Sequence, residues 1–256
     1  MANWSDPRST AAPFGATDTR AAAYDAGLRS YMLSVYNYMT SGVLLTAIVA
    51  LLFNATGMVD SLSVVGVNSH GQLVQSLSGL GWIVSLAPLA IVFAMSFGQR
   101  RFSAPALQLM FFAYAGLLGA SLSTLFQIYT DGSIAMAFFA TGAGFAGLSL
   151  WGYTTKRDLS GFGSFLIIGL VGIIVAMLLN AFVFRSGVMD LVISIVGVLV
   201  FAGLTAYDTQ KIKSMYDYVA GTEWQGKTAI MGALNLYLDF INMFLFILRI
   251  FGSQRN

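Results

Sequence analysis

Seven apolar stretches, each long enough to cross a hydrocarbon layer as a helix, alternate with polar breaks along the chain. They lie near residues 35–54, 80–98, 104–128, 133–153, 162–184, 189–213 and 228–251. The breaks at 99–103, 129–132 and 185–188 are so short that the helices they join must be antiparallel neighbours, while 55–79 and 214–227 are longer and polar. The pattern predicts an all-α integral membrane protein, an up-and-down bundle of seven transmembrane helices over residues 35–256. Small residues four apart, Ala115/Gly119 and Ala143/Gly147, would let helix backbones approach closely in lipid.

Residues 1–34 break the pattern. They are polar and mixed in charge, with no apolar run, and do not read as a cleaved signal peptide. The segment up to about Asp18 has the composition of a flexible tail. Arg20 to Ser34 reads either as more of that tail or as a short interfacial helix leading into the membrane.

Composition narrows the function. With 57% hydrophobic and 9% charged residues and a mean hydropathy of +0.76, the chain has too few charges to hold a water-facing surface, so its first partner is the lipid bilayer. A scattered net charge of +2 offers no basic stripe for a nucleic acid. There is no cysteine and one histidine, His70, which excludes disulfides, thiolate chemistry, iron–sulfur clusters and a multi-histidine zinc site. We therefore expect no enzyme activity and no cofactor. A retinal protein would need a lysine in its last span, and 228–251 contains none. His70, in a Gly- and Ser-containing loop, reads as a solvated loop residue. Trp82, Trp151 and Trp224 read as interfacial anchors.

Charge also sets orientation. Arg8, Arg20, Arg29, Arg100, Arg101, Lys156, Arg157, Lys211, Lys213 and Lys227 fall on the side of the amino terminus, and only Arg185, Arg249 and Arg255 fall opposite. Basic residues stay cytoplasmic, so the amino end is expected inside and the carboxyl end outside the plasma (inner) membrane.

Two aspartates are out of place. Asp239 lies in the middle of the last span, roughly 16 Å from either end. Asn235, Asp239 and Asn242 follow an i, i+4, i+7 spacing that puts them on one face of an otherwise apolar helix, so that face must turn towards the bundle interior. Asp208 ends the apolar run Leu191 to Tyr207. If the sixth helix continues to about Ser214, with Lys211 and Lys213 snorkelling to the headgroups, Asp208 sits about two turns below the surface and can approach Asp239. If the helix stops at Asp208, the residue is a solvated end group and no pair forms. Two carboxylates in contact in a dry interior cannot both stay ionised cheaply, so such a pair shares one proton and serves as a pH sensor. Arg100 and Arg101, after the second span, are the cations available to latch onto it.

The segments Leu204-Thr-Ala-Tyr-Asp-Thr-Gln-Lys-Ile and Ala233-Leu-Asn-Leu-Tyr-Leu-Asp-Phe-Ile-Asn-Met-Phe-Leu-Phe-Ile-Leu-Arg closely resemble the Bax inhibitor-1 family. So do Arg29-Ser-Tyr-Met-Leu-Ser-Val-Tyr-Asn-Tyr-Met, the arginines after the second span, and Gly119-Ala-Ser-Leu-Ser. The resemblance runs from about Tyr24 to Gly252. It implies six helices around a central seventh and, for bacterial members, a pH-sensitive calcium leak channel. It also implies that Asp208 and Asp239 are the di-aspartyl sensor and that Arg101, or Arg100 one position away, is the latch. The polar amino-terminal extension and the loop from Thr56 to Ser78, with Asp60 and His70, lie outside the family motifs.

Three functions remain open on the residues. In the first, a passive calcium pathway, Asp239, Asn235 and Asn242 offer the hard oxygens calcium prefers, and Asp239 coordinates the ion only transiently. The second is a calcium/proton exchanger using the same pair. The third is a non-conducting regulator of membrane proteases or stress responses, in which the aspartates only fix the bundle.

Overall fold

The computed structural model describes residues 15–67 and 73–255, so Arg8 and His70 lie outside the described residues. Among the described residues, seven helices are long and apolar enough to cross a membrane. In chain order they are α1 (Gly15–Ala55), α2 (Gly79–Gly98), α3 (Ala104–Leu122) continued by the short α4 (Leu125–Ile128), α5 (Asp131–Thr154), α6 (Ser160–Leu179), α7 (Gly187–Val219) and α8 (Trp224–Phe251). Hydroxyls cap the starts of α2, α3, α5 and α7. The side chains of Ser78, Ser103, Thr130 and Ser186 each accept a backbone N–H at the start of the following helix, satisfying donors that lipid could not.

The last helix is the centre of the bundle. α8 packs against α1, α3, α5 and α7, and 67% of its most apolar window is buried inside the protein, against 17% for α6. Between helices in lipid there is no hydrophobic driving force, so close packing and hydrogen bonds must hold them. Gly119 shows the packing: a Cβ there would stand 2.5 Å from the Thr46 carbonyl oxygen of α1. Gly152 likewise lies against the backbone of Ala206 on α7. The Ala143/Gly147 pair does not serve this purpose, because both residues are exposed and a Cβ on Gly147 would meet nothing within 4 Å.

Several elements depart from the sequence pattern. α1 begins at Gly15 and runs unbroken into the first span, because Leu28, Tyr31, Met32 and Val35 are buried in the core and carry its packing face across Ser34. The third span breaks at Ser123 and Thr124. There Ser123 Oγ donates to the Ala120 carbonyl at 2.7 Å and Thr124 Oγ1 to the Ser121 carbonyl at 2.9 Å, covering acceptors near the break. The fifth span ends in a π turn, Asn180–Phe184, with Arg185 in a left-handed conformation.

The loop after α1 is not wholly irregular. A 3₁₀ turn (Met58–Leu62) leads into a two-stranded antiparallel hairpin, β1 (Ser63–Val67) and β2 (Leu73–Leu77), that pairs Ser63 with Leu77 and Val67 with Leu73. At the same end, the carboxyl-terminal tail is clipped beneath the α4–α5 turn. The Thr130 N–H donates to the Ser253 carbonyl at 3.0 Å, and Arg255 pairs with Asp131 at 3.1 Å.

Candidate functional site

α7 continues for eleven residues past Asp208, from Thr209 to Val219. The cause is legible in its packing. Ile212 and Tyr216 are buried four residues apart, and the Tyr216 ring meets Tyr24 and Tyr31 of α1, each at 5.4 Å. The Tyr24 hydroxyl also donates to Asp217. Of the two lysines expected to snorkel, Lys213 turns back: its Nζ donates to the Tyr153 carbonyl at 2.8 Å and lies 4.7 Å from that residue's ring centre. The solvated-end alternative for Asp208 is therefore not what the fold adopts. Asp208 is a half-buried residue within a helix, roughly 16 Å from its end.

Asp239 sits in α8, roughly 22 Å from one end and 18 Å from the other. It is 5% exposed. Its Oδ2 is fully buried and has no hydrogen-bond partner among the described residues. Asp208 and Asp239 stand on α7 and α8, two helices that pack against each other, and Lys211 follows Asp208 by one turn of α7. A buried carboxylate oxygen without a donor is costly.

None of the other expected members is hydrogen-bonded to Asp239 among the described residues. Asn242 turns its Nδ2 onto the Leu238 carbonyl of its own helix at 2.8 Å. Asn235 is half-buried and has no hydrogen bond among the described residues. Arg100 and Arg101 lie exposed in the turn between α2 and α3, where the Arg101 N–H donates to the Gly98 carbonyl. Among the described residues neither guanidinium makes an ion pair, so the structure does not bring the latch to the aspartates. No group of three or more His, Cys, Asp or Glu that could cage a metal occurs among them either.

Two hydroxyl bridges beside the aspartates escape a reading of the sequence. The Tyr36 hydroxyl of α1 lies 2.6 Å from Ser149 Oγ of α5, which lies 2.9 Å from Thr209 Oγ1 next to Asp208. Thr209 in turn donates to the Thr205 carbonyl at 2.7 Å. On α8, Tyr237 meets Thr46 of α1. A cavity of about 870 Å³ between α1 and α5 reaches Tyr36 and Ser149, but neither aspartate lines it. Chemically, the site offers one carboxylate, Asp239, in the dry interior of the central helix and a second, Asp208, half-buried on the adjoining α7.

Across residues 28–256 the sequence matches the family described as "Inhibitor of apoptosis-promoting Bax1". The chain belongs to the Bax inhibitor-1 family. This Bax inhibitor-1 family protein is 43% identical over 233 residues to the inner membrane protein YbhL of Escherichia coli (strain K12), covering 90% of this chain and 94% of that one. It is 44% identical over 241 residues to an uncharacterized protein of Rickettsia prowazekii, covering 94% and 96%. To an uncharacterized membrane protein of Streptococcus pyogenes serotype M3 it is 37% identical over 230 residues, covering 90% and 95%. The chain is a membrane protein of that family.

Proposed function

We propose that the protein is a passive calcium pathway of the inner membrane, opened and closed by the protonation of Asp208 and Asp239, and not an enzyme. The observation that carries this reading is the Asp239 carboxylate: it is buried in the central helix, its Oδ2 lacks any donor among the described residues, and Asp208 stands on the adjoining α7. A proton shared between the two acids removes one charge from the dry interior and keeps α8 seated as a plug. Loss of that proton leaves two negative charges facing each other, which favours separation of α7 from α8 and exposes oxygens suited to calcium. Arg101 or Arg100 would act as the latch by swinging from the turn after α2 in the protonated state, and Asn235 and Asn242 would line the path. Calcium is the cargo, coordinated briefly at Asp239, and protons are the signal. The excess of Lys and Arg on the amino-terminal face supports a cytoplasmic amino terminus and an external carboxyl terminus.

The test is calcium flux in proteoliposomes across a range of pH. The wild type should show a pH-dependent flux, and Asp239→Asn should abolish the dependence. A pH response that survives the substitution would refute the gating mechanism.

A further inference from the structure

On the amino-terminal face, the α5–α6 connection and α7 form a polar recess of about 300 Å³ that neither Asp208 nor Asp239 lines. Lys156, Arg157 and Lys211 line it together with the hydroxyl-bearing Ser160, Ser214 and Tyr207. None of the three cations makes a salt bridge among the described residues. The single acid in the recess is already engaged, since Asp158 Oδ1 accepts the Ser160 N–H at 2.9 Å. Gln210 fixes the wall by accepting from the Leu159 N–H and donating to the Arg157 carbonyl, both at 2.8 Å. The recess is thus a fixed concavity with three cations against one committed carboxylate.

Its surroundings decide what anion it suits. Trp151, an exposed aromatic of the interfacial kind, precedes Lys156 by five residues and places the recess at headgroup depth. Immediately below, α6 turns Phe162, Phe165 and Ile168 outward, at 48%, 65% and 72% exposure, with the two phenylalanine rings stacked at 5.9 Å. A soluble anion would use the cations alone. A lipid would use both the cations and this apolar strip. We infer that the recess binds the phosphodiester of an anionic phospholipid, whose acyl chains lie along α6.

The experiment uses the full chain, purified and exchanged into nanodiscs of phosphatidylcholine with or without phosphatidylglycerol, with retained lipid counted by native mass spectrometry. Wild type should retain phosphatidylglycerol in preference to phosphatidylcholine. The triple variant Lys156→Gln, Arg157→Gln, Lys211→Gln should lose that preference by on the order of a hundredfold, as expected for three basic side chains at an anionic surface. Excess inorganic phosphate should leave the lipid in place. Equal retention of the two lipids by wild type, an unchanged preference in the variant, or full displacement by inorganic phosphate would each overturn the proposal. Should the variant misfold, wild type still decides. A phosphatidylglycerol analogue with a photoactivatable headgroup should label residues 156–162, and labelling elsewhere would overturn the assignment.

Discussion

The hydroxyls of Tyr237 and Thr46 lie 2.6 Å apart in the buried centre of the bundle, two residues along α8 from Asp239. Thr46 Oγ1 is also 2.9 Å from the Ala115 carbonyl and 3.0 Å from the Gly42 carbonyl. A threonine has one proton to give, so when it serves a carbonyl the tyrosine must be the donor to Thr46. Thr46 thereby joins α1, α3 and α8 at one point.

This bond has an asymmetry that can be measured. Tyr237→Phe removes a donor and leaves Thr46 still bonded to a carbonyl, for a loss of about 0.6 kcal/mol, the typical worth of an interhelical hydrogen bond in a membrane. Thr46→Val strands the Tyr237 hydroxyl and costs about 1–3 kcal/mol. Unfolding in a graded series of detergent mixtures should rank the two variants in that order, and equal losses would contradict the assignment of donor and acceptor.

Two glycines at equivalent spacings from an alanine should respond oppositely to the same change. Gly119→Ala forces a methyl to within 2.5 Å of the Thr46 carbonyl, and overpacking of this kind costs about 1–3 kcal/mol. Gly147→Ala meets open space and gains helix propensity, up to about 1 kcal/mol. The melting temperatures of the two variants should move in opposite directions.

At the start of α6, the Ser160 hydroxyl and then its backbone N–H hold the Asp158 carboxyl below the usual aspartate range. A carboxyl lowered by folding contributes stability above its unfolded value, about 3.9, and loses it as pH falls through the lower folded value. Asp158→Ala should therefore melt below wild type at neutral pH. The two should converge only in strong acid, and a gap that persisted there would argue against the carboxylate as its source.

Leak and exchange part company in a vesicle without a proton gradient. If Asp208 and Asp239 only sense protons, calcium should move down its gradient with internal pH unchanged. Stoichiometric acidification or alkalinisation during flux would instead assign the pair a transport role.

Asp239 was legible from sequence because a charge in the middle of an apolar span has to face the interior. The extent of α7 beyond Asp208 was half-legible, since Ile212 and Tyr216 repeat at four residues and extend the buried stripe. What sequence does not encode locally is rotation about a helix axis. Ala115/Gly119 and Ala143/Gly147 have the same spacing, yet one pair faces α1 and the other faces outward. The same ignorance hid Tyr36, Ser149 and Thr209, whose hydroxyls matter only because three helices turn them together. The hairpin was hidden for another reason: its strands are five residues each, short enough to be lost in a polar loop.

α8, which fills the axis, follows α1 to α7 along the chain, so it emerges from the ribosome after the helices that surround it. The earlier helices must therefore enter the bilayer around an unfilled middle, with Thr46 still lacking Tyr237. Closure of the ring around its axis waits on the insertion of α8, in which an aspartate has to be carried into hydrocarbon. A nascent chain that stalls before this step would present an open, poorly packed ring, a natural target for membrane quality control.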